Sequence, residues 1–227
     1  MIGFDIYYLI LVVPTLILSM IAQFMVKSAF AKYSKIPSKN GITGLKAADI
    51  LLNANSIKDV GIEAVKGSLT DHYDPTHKKL RLSEPVYSQT SIAAIGVSAH
   101  ETGHAIQHAT RWGPLVLRST LVPVANIGSR FGPWVAMAGF FLQFGILIYI
   151  GIFLFTGAVL FYIITLPVEF NASNRAIAIL RDNKVLDTDE LKGARKVLNA
   201  AAMTYVASAL TAFASLLRLI LLARRRR

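Results

Sequence analysis

Between Ser98 and Thr110 the chain reads SAHETGHAIQHAT, with three histidines and a glutamate at helical spacing in an otherwise apolar setting. His100, Glu101 and His104 fit the pattern H-E-x-x-H. Residues four apart stand one turn above each other on a helix, so both imidazoles can meet one zinc ion. Glu101, beside them, is then placed as general base towards an attacking water. The chain has no cysteine, so disulfides and thiolate sites are excluded and any metal must be held by His, Asp or Glu. His108 is not a third ligand on this reading. It lies two turns from His100, about 12 Å along a straight helix, and no glycine turn between His104 and His108 brings it back, as the spacing H-E-x-x-H-x-x-G-x-x-H would. It is expected at a helix end or behind the ligands, and His72 and His77 are expected on a polar surface.

The remaining ligand should be a carboxylate from another helix, and Glu169 in LPVEFNASNRA is the strongest choice. It follows an apolar run, and Pro167 just before it suits a helix start. Ala172 and Ser173, one turn on, leave room for packing against the first helix, and Asn171, Ser173 or Asn174 could hold a ligand histidine through its second nitrogen. The other reading of Glu169 is a capping glutamate in a first helical turn. Glu63 and Glu84 lack any surrounding pattern of an inward-facing helix.

The elements that must position these groups follow from periodicity. Ser91 to Ala99, ahead of the motif, is helical in propensity, and Gly103 within it permits close approach of another backbone. Asp71 to Ser83 reads as a β-hairpin turning at Asp74-Pro75, with Leu80 and Leu82 alternating with Lys79 and Arg81 as in a half-buried edge strand. Such an edge beside a zinc helix is where an extended peptide can add itself by backbone hydrogen bonds. Leu45, Ala48, Leu51 and Leu52 predict a helix from about Thr43 to Asn53, capped near Thr43.

The rest of the chain is membrane-like. Of its 227 residues 54% are hydrophobic and 16% charged, and mean hydropathy is +0.50, above a soluble domain's range. Ile6 to Val26 is uncharged and long enough to cross a bilayer. Asp5 precedes it and lysines follow, the reverse of a cleaved signal, so it is read as a retained anchor. Phe131 to Val168 is also uncharged and suits two crossings turning near Phe144 to Tyr149. The first of these starts before Phe131 and includes Arg118, Ser119, Asn126, Ser129 and Arg130 on one face, either lining a wet cleft or as the solvated side of a juxtamembrane helix. Asp187 to Glu190 starts another helix. Asn199 to Ala223 carries a stripe of Thr204, Ser208, Thr211, Ser215 and Arg218, which suits either membrane packing or a surface-lying helix. The segments are thus 1–26, an anchor; 27–112, the catalytic region; 113–168, a transmembrane hairpin; 169–198, the third-ligand helix; and 199–227, a membrane-associated helix with a basic tail.

The net charge of +11 has a topological reading. Eleven Lys and Arg fall between positions 27 and 111, six between 169 and 196, and none before Ile6, which puts the polar regions and the active site on the cytoplasmic side of a multi-pass cell-membrane protein. Basic residues without interleaved aromatics on a polar face argue against nucleic acid as a partner.

Three blocks, LTDHYDPTHKKLRLSEPVY (Leu69 to Tyr87), SIAAIGVSAHETGHAIQH (Ser91 to His108) and TLPVEFNASNRA (Thr165 to Ala176), resemble the YugP-like membrane neutral zinc metallopeptidases over nearly the whole chain. The resemblance implies a bacterial membrane zinc peptidase of gluzincin-like type, with His100, His104 and Glu169 as ligands to Zn2+ and Glu101 as catalytic base. More distantly the arrangement is similar to HtpX-type and CAAX-prenyl membrane proteases, which carry an aspartate four residues after the ligand glutamate, where this chain has Ser173. The expected fold is a mainly α integral membrane protein, with several transmembrane helices and a small α+β zincin-like region containing the hairpin. The expected partners are a peptide or protein substrate, membrane proteins included, and the lipid bilayer. Tyr73, Tyr87, Tyr205 and the arginines of the 118–130 face are the available oxyanion partners. Two rival functions are a site-2-type intramembrane protease, for which residues 91–110 make a short span, and a non-catalytic zinc-stabilised scaffold, which would need a fourth protein ligand.

Overall fold

The computed structural model describes residues 5–225. Helix α1 (Val13–Tyr33), preceded by a π-helical turn at Tyr8–Val12, is followed by α2 (Gly44–Ala54), strands β1 (Gly61–Val65), β2 (His72–Asp74) and β3 (Lys79–Ser83), and the short α3 (Glu84–Ser88). Then come α4 (Ile92–Ala109), α5 (Gly113–Phe141), α6 (Gly145–Asp182) and α7 (Thr188–Arg224). The protein is a mainly α membrane protein with a small α+β region. Tyr8–Tyr33, α6 and α7 are long and apolar enough to cross a membrane. Helix α5 has comparable length but carries Arg118 and Arg130, and it is not among the three. The chain divides into two compact units: Met1–Gln23 with Val116–Pro167 and Met203–Arg227, and Phe24–Leu115 with Val168–Ala202.

The second unit holds the H-E-x-x-H segment. Thr43 caps α2 by accepting from the Lys46 N–H at 3.2 Å, and Ser91 caps α4 by accepting from Ala94 at 3.2 Å, each satisfying a backbone donor that a helix start leaves open. A reciprocal cap starts α7: the Asp187 side chain accepts from the Glu190 N–H at 2.9 Å, while Glu190 accepts from the Asp187 N–H at 2.8 Å. Ile92, Ile95 and Ala99 of α4 pack with Ala47 and Leu51 of α2, Ala176 and Leu180 of α6, and Ala194 and Leu198 of α7. Further along α4, Ala105 and Ile106 pack with Leu52, Leu80 and Leu82. With two cores on its flanks, α4 has little freedom to rotate, and the imidazole face is thereby aimed.

The sheet has the order β1-β3-β2, with β1 parallel and β2 antiparallel to β3. The hairpin is present as expected, but β3 is the middle strand and not an edge. Leu80 and Leu82 are fully buried, because they face Leu52 of α2 and Ala105 and Ile106 of α4. The edge strand that touches α4 is β2.

In the first unit, small residues bring helices together. A Cβ at Gly151 of α6 would lie 2.3 Å from the Ala136 nitrogen of α5, a contact open only to glycine. The connection between α5 and α6, Leu142 to Phe144, begins slightly before the expected turn. The polar stripe of α7 meets α1 and its approach: the Thr211 and Ser19 hydroxyls are 3.3 Å apart. Arg218 donates to one Asp5 oxygen from Nε at 2.9 Å and from Nη2 at 2.6 Å, with both side chains mostly buried. Thr211 and Arg218 of the stripe therefore serve helix packing.

Candidate metal centre

Helix α4 meets α6 at Gly103. A Cβ on Gly103 would sit 2.7 Å from the carbonyl oxygen of Ala172, and Ala172 is itself fully buried. This contact sets Glu169, one turn earlier on α6, against the imidazoles. Glu169 Oε2 lies 3.3 Å from His100 Nε2 and 3.5 Å from His104 Nε2, and one ligand atom from each residue falls within 4.8 Å of the others. Charge-assisted hydrogen bonds would be shorter, at about 2.7–2.9 Å. These two carboxylate–imidazole distances match the edge of a tetrahedron built on zinc–ligand distances near 2.0–2.1 Å, roughly 3.4 Å.

Glu169 lies in the interior of a 38-residue helix and is 2% exposed, which removes the capping role. Pro167 likewise sits inside α6, not at its start; the apolar run and the ligand segment form one continuous helix. A carboxylate buried to this degree needs a cation beside it. His104 responds to the same field: burial disfavours its charged form, but the Glu169 and Glu101 carboxylates outweigh that and hold its pKa above the ordinary value. The pocket attracts positive charge, and its two imidazoles and one carboxylate are borderline and hard donors that suit zinc. Among the described residues no fourth His, Asp or Glu joins them, so a tetrahedral ion would keep one position open, as catalytic zinc sites do.

The second imidazole nitrogens face the protein. His100 Nδ1 is 3.0 Å from the Ser173 hydroxyl, and His104 Nδ1 is 3.0 Å from Gln107 Oε1. Of the three side chains expected for this task, Ser173 takes it directly, Asn171 takes it through Gln107 at 3.0 Å, and Asn174 is exposed. Gln107 was not foreseen, although its position three residues after His104 puts it on the same helix face.

Glu101 is tied to the sheet edge. Its Oε2 accepts the Tyr73 backbone N–H of β2 at 3.1 Å. The Tyr73 hydroxyl in turn meets His108 Nδ1 at 2.8 Å, so His108 stands at the end of α4 with a partner of its own, outside the ligand cluster. Asp71, just before β2, accepts from the Ser83 N–H at 2.7 Å; burial raises its pKa, and the Glu101 charge adds to that. His72 and His77 bond locally, to Thr70 and Asp74, on exposed positions. Glu63 is paired with Lys79 and Arg81, and Glu84 opens α3. Neither approaches the cluster.

Burial, with the Asp59 and Asp74 charges behind it, pushes the Tyr73 phenol from an ordinary 10.0 up to about 12. The folded protein therefore keeps this phenol neutral at a pH where an unfolded chain ionises it. The associated stability is intact below pH 10.0 and falls as pH rises towards about 12. Alkaline titration of tyrosine absorbance should resolve one late-ionising phenol in the wild type that is missing from Tyr73→Phe; identical curves would remove the buried contact.

The family described as "putative neutral zinc metallopeptidase" matches residues 8–224. A protein of Bacillus subtilis (strain 168) named "Putative membrane protease YugP" is 48% identical over 215 residues, covering 95% of this chain and 96% of that one. No solved structure matches.

Proposed function

Because the chain belongs to the neutral zinc metallopeptidase family, we propose that it is a multi-pass membrane zinc peptidase that hydrolyses peptide bonds, with His100, His104 and Glu169 as ligands and Glu101 as general base. The observation that carries this reading is the convergence of the two Nε2 atoms on one buried Glu169 oxygen at 3.3 and 3.5 Å. When bound, zinc polarises the scissile carbonyl and lowers the pKa of a water towards neutrality. Glu101 accepts the proton of the attacking water and passes it to the leaving amine. The edge strand β2 offers its backbone to an extended peptide, and the Tyr73 N–H on it holds the Glu101 carboxylate at 3.1 Å. A scaffold role is disfavoured because His108, the one further histidine on α4, is engaged with Tyr73. The lysine and arginine distribution supports an active site facing the cytoplasm.

The test is zinc content and cleavage of an unstructured protein such as casein by the purified chain in detergent. About one zinc per chain is expected, with cleavage lost on chelation and restored by zinc. Full cleavage after complete removal of metal would sink the zinc mechanism, and bound zinc with no cleavage of any peptide would favour the scaffold.

A further inference from the structure

We infer that Gln107, held in one orientation by Asn171 and Arg175, fixes the tautomer of His104 so that its Nε2 is the nitrogen offered to metal; this rests on the reading of His104 as a zinc ligand. Polarity is unambiguous at the far end of a chain of hydrogen bonds. Arg175 Nε can only donate, so the Asn171 atom 2.8 Å from it is the oxygen Oδ1. Gln107 then faces two acceptors with one end of its amide: the Val168 carbonyl at 2.9 Å and Asn171 Oδ1 at 3.0 Å. That end must be the NH2 group, and both of its hydrogens are used.

The other end is therefore Oε1, which can only accept, and it lies 3.0 Å from His104 Nδ1. The hydrogen of that bond must come from the imidazole. With the proton on Nδ1, the lone pair of the neutral ring is on Nε2, the atom 3.5 Å from Glu169 Oε2. Gln107 is fully buried, so water cannot substitute for a wrongly oriented amide, and a flipped Gln107 would set oxygen against two acceptors. His100 is treated differently. Its Nδ1 partner is the Ser173 hydroxyl at 3.0 Å, which can rotate to donate or accept and so dictates no tautomer. Gln107 is thus a positioning residue: it acts on the metal only through His104, and Arg175 sets its polarity from α6.

The experiment uses the full-length, zinc-loaded chain in detergent, with nitrogen-15 label on its five histidines and zinc affinity measured by competition with a chromophoric chelator. The wild type should show His104 with a protonated, exchange-protected Nδ1 and an unprotonated Nε2. Gln107→Met should lose that protected proton and bind zinc about 10–100-fold more weakly. Asn171→Asp still accepts from both Gln107 and Arg175 and should keep the protected His104 Nδ1 proton, whereas Asn171→Leu should shift in the direction of Gln107→Met. A wild-type His104 unprotonated at Nδ1 overturns the inference, as does unchanged zinc affinity in Gln107→Met. If Gln107→Met does not fold, the wild-type spectrum and the contrast between the two Asn171 variants decide. A wild type that takes up no zinc would defeat the ligand reading itself, a failure distinct from loaded wild type and Gln107→Met behaving alike.

Discussion

Glu101→Gln should lower kcat for peptide cleavage by about 10²–10⁴-fold, a loss of about 3–5 kcal/mol of transition-state stabilisation, while zinc content stays at the wild-type level. Glutamine keeps the size of the side chain and an oxygen that can accept the Tyr73 N–H, now 3.1 Å from Glu101 Oε2. The tether to β2 and the path of α4 are preserved, and only the capacity to take up a proton is removed. Glu101 also lies outside the cluster formed by His100, His104 and Glu169, so its neutralisation leaves the ligand set intact. Steady-state kinetics beside metal analysis separates the possibilities. Cleavage at the wild-type rate would remove Glu101 from the role of base, and loss of zinc together with activity would recast it as a ligand.

Gly103→Ala should directly disturb the spacing of the metal ligands. Its Cβ would arrive 2.7 Å from the Ala172 carbonyl oxygen, with the Ala172 backbone carbon and Cα both at 3.2 Å. The obstacle is helix backbone, which cannot swing aside as a side chain would, so α4 and α6 must part or shift. Overpacking of this kind costs about 1–3 kcal/mol in stability. The chemical effect is larger than the thermal one, because His100 and His104 ride on α4 and Glu169 on α6. Ligand geometry tolerates only about 0.5 Å of displacement, and a misplacement of about 1 Å costs about 10²-fold in rate. The expected result is a folded protein with lowered melting temperature, weakened zinc retention against a chelator, and activity down by about that factor. Full zinc retention and full activity would mean that the Gly103–Ala172 contact does not set the ligand spacing.

The features that were legible in sequence are those governed by neighbours a few residues apart. The Thr43 cap, the helical propensity of Ser91 to Ala99, the helix start at Asp187 and the imidazole pair four residues apart all depend on a turn or two of helix. Other readings went astray where a distant segment intervened. Leu80 and Leu82 alternate as an edge strand would, but β1 pairs alongside β3, and Leu52 of α2 with Ala105 and Ile106 of α4 buries them. Pro167 looked like a helix start, yet the helix runs through it from Gly145 to Asp182. Gln107 passed unremarked because nothing local gives a buried amide a task. Its value comes from Val168 and Asn171, 61 and 64 residues away.

The sequence by itself determined that two imidazoles and a glutamate share one helix turn, that thiolate chemistry is excluded, and that several segments are apolar enough for a bilayer. These follow from covalent rise per residue and composition, which need no knowledge of the fold. Only the tertiary structure decided that Glu169 is the carboxylate facing those imidazoles and not a cap, and that Ser173 and Gln107 hold the two rings from behind. That choice rests on the approach of α4 to α6 at Gly103, a packing event between residues 69 positions apart, and packing across such a distance is set by the whole core at once.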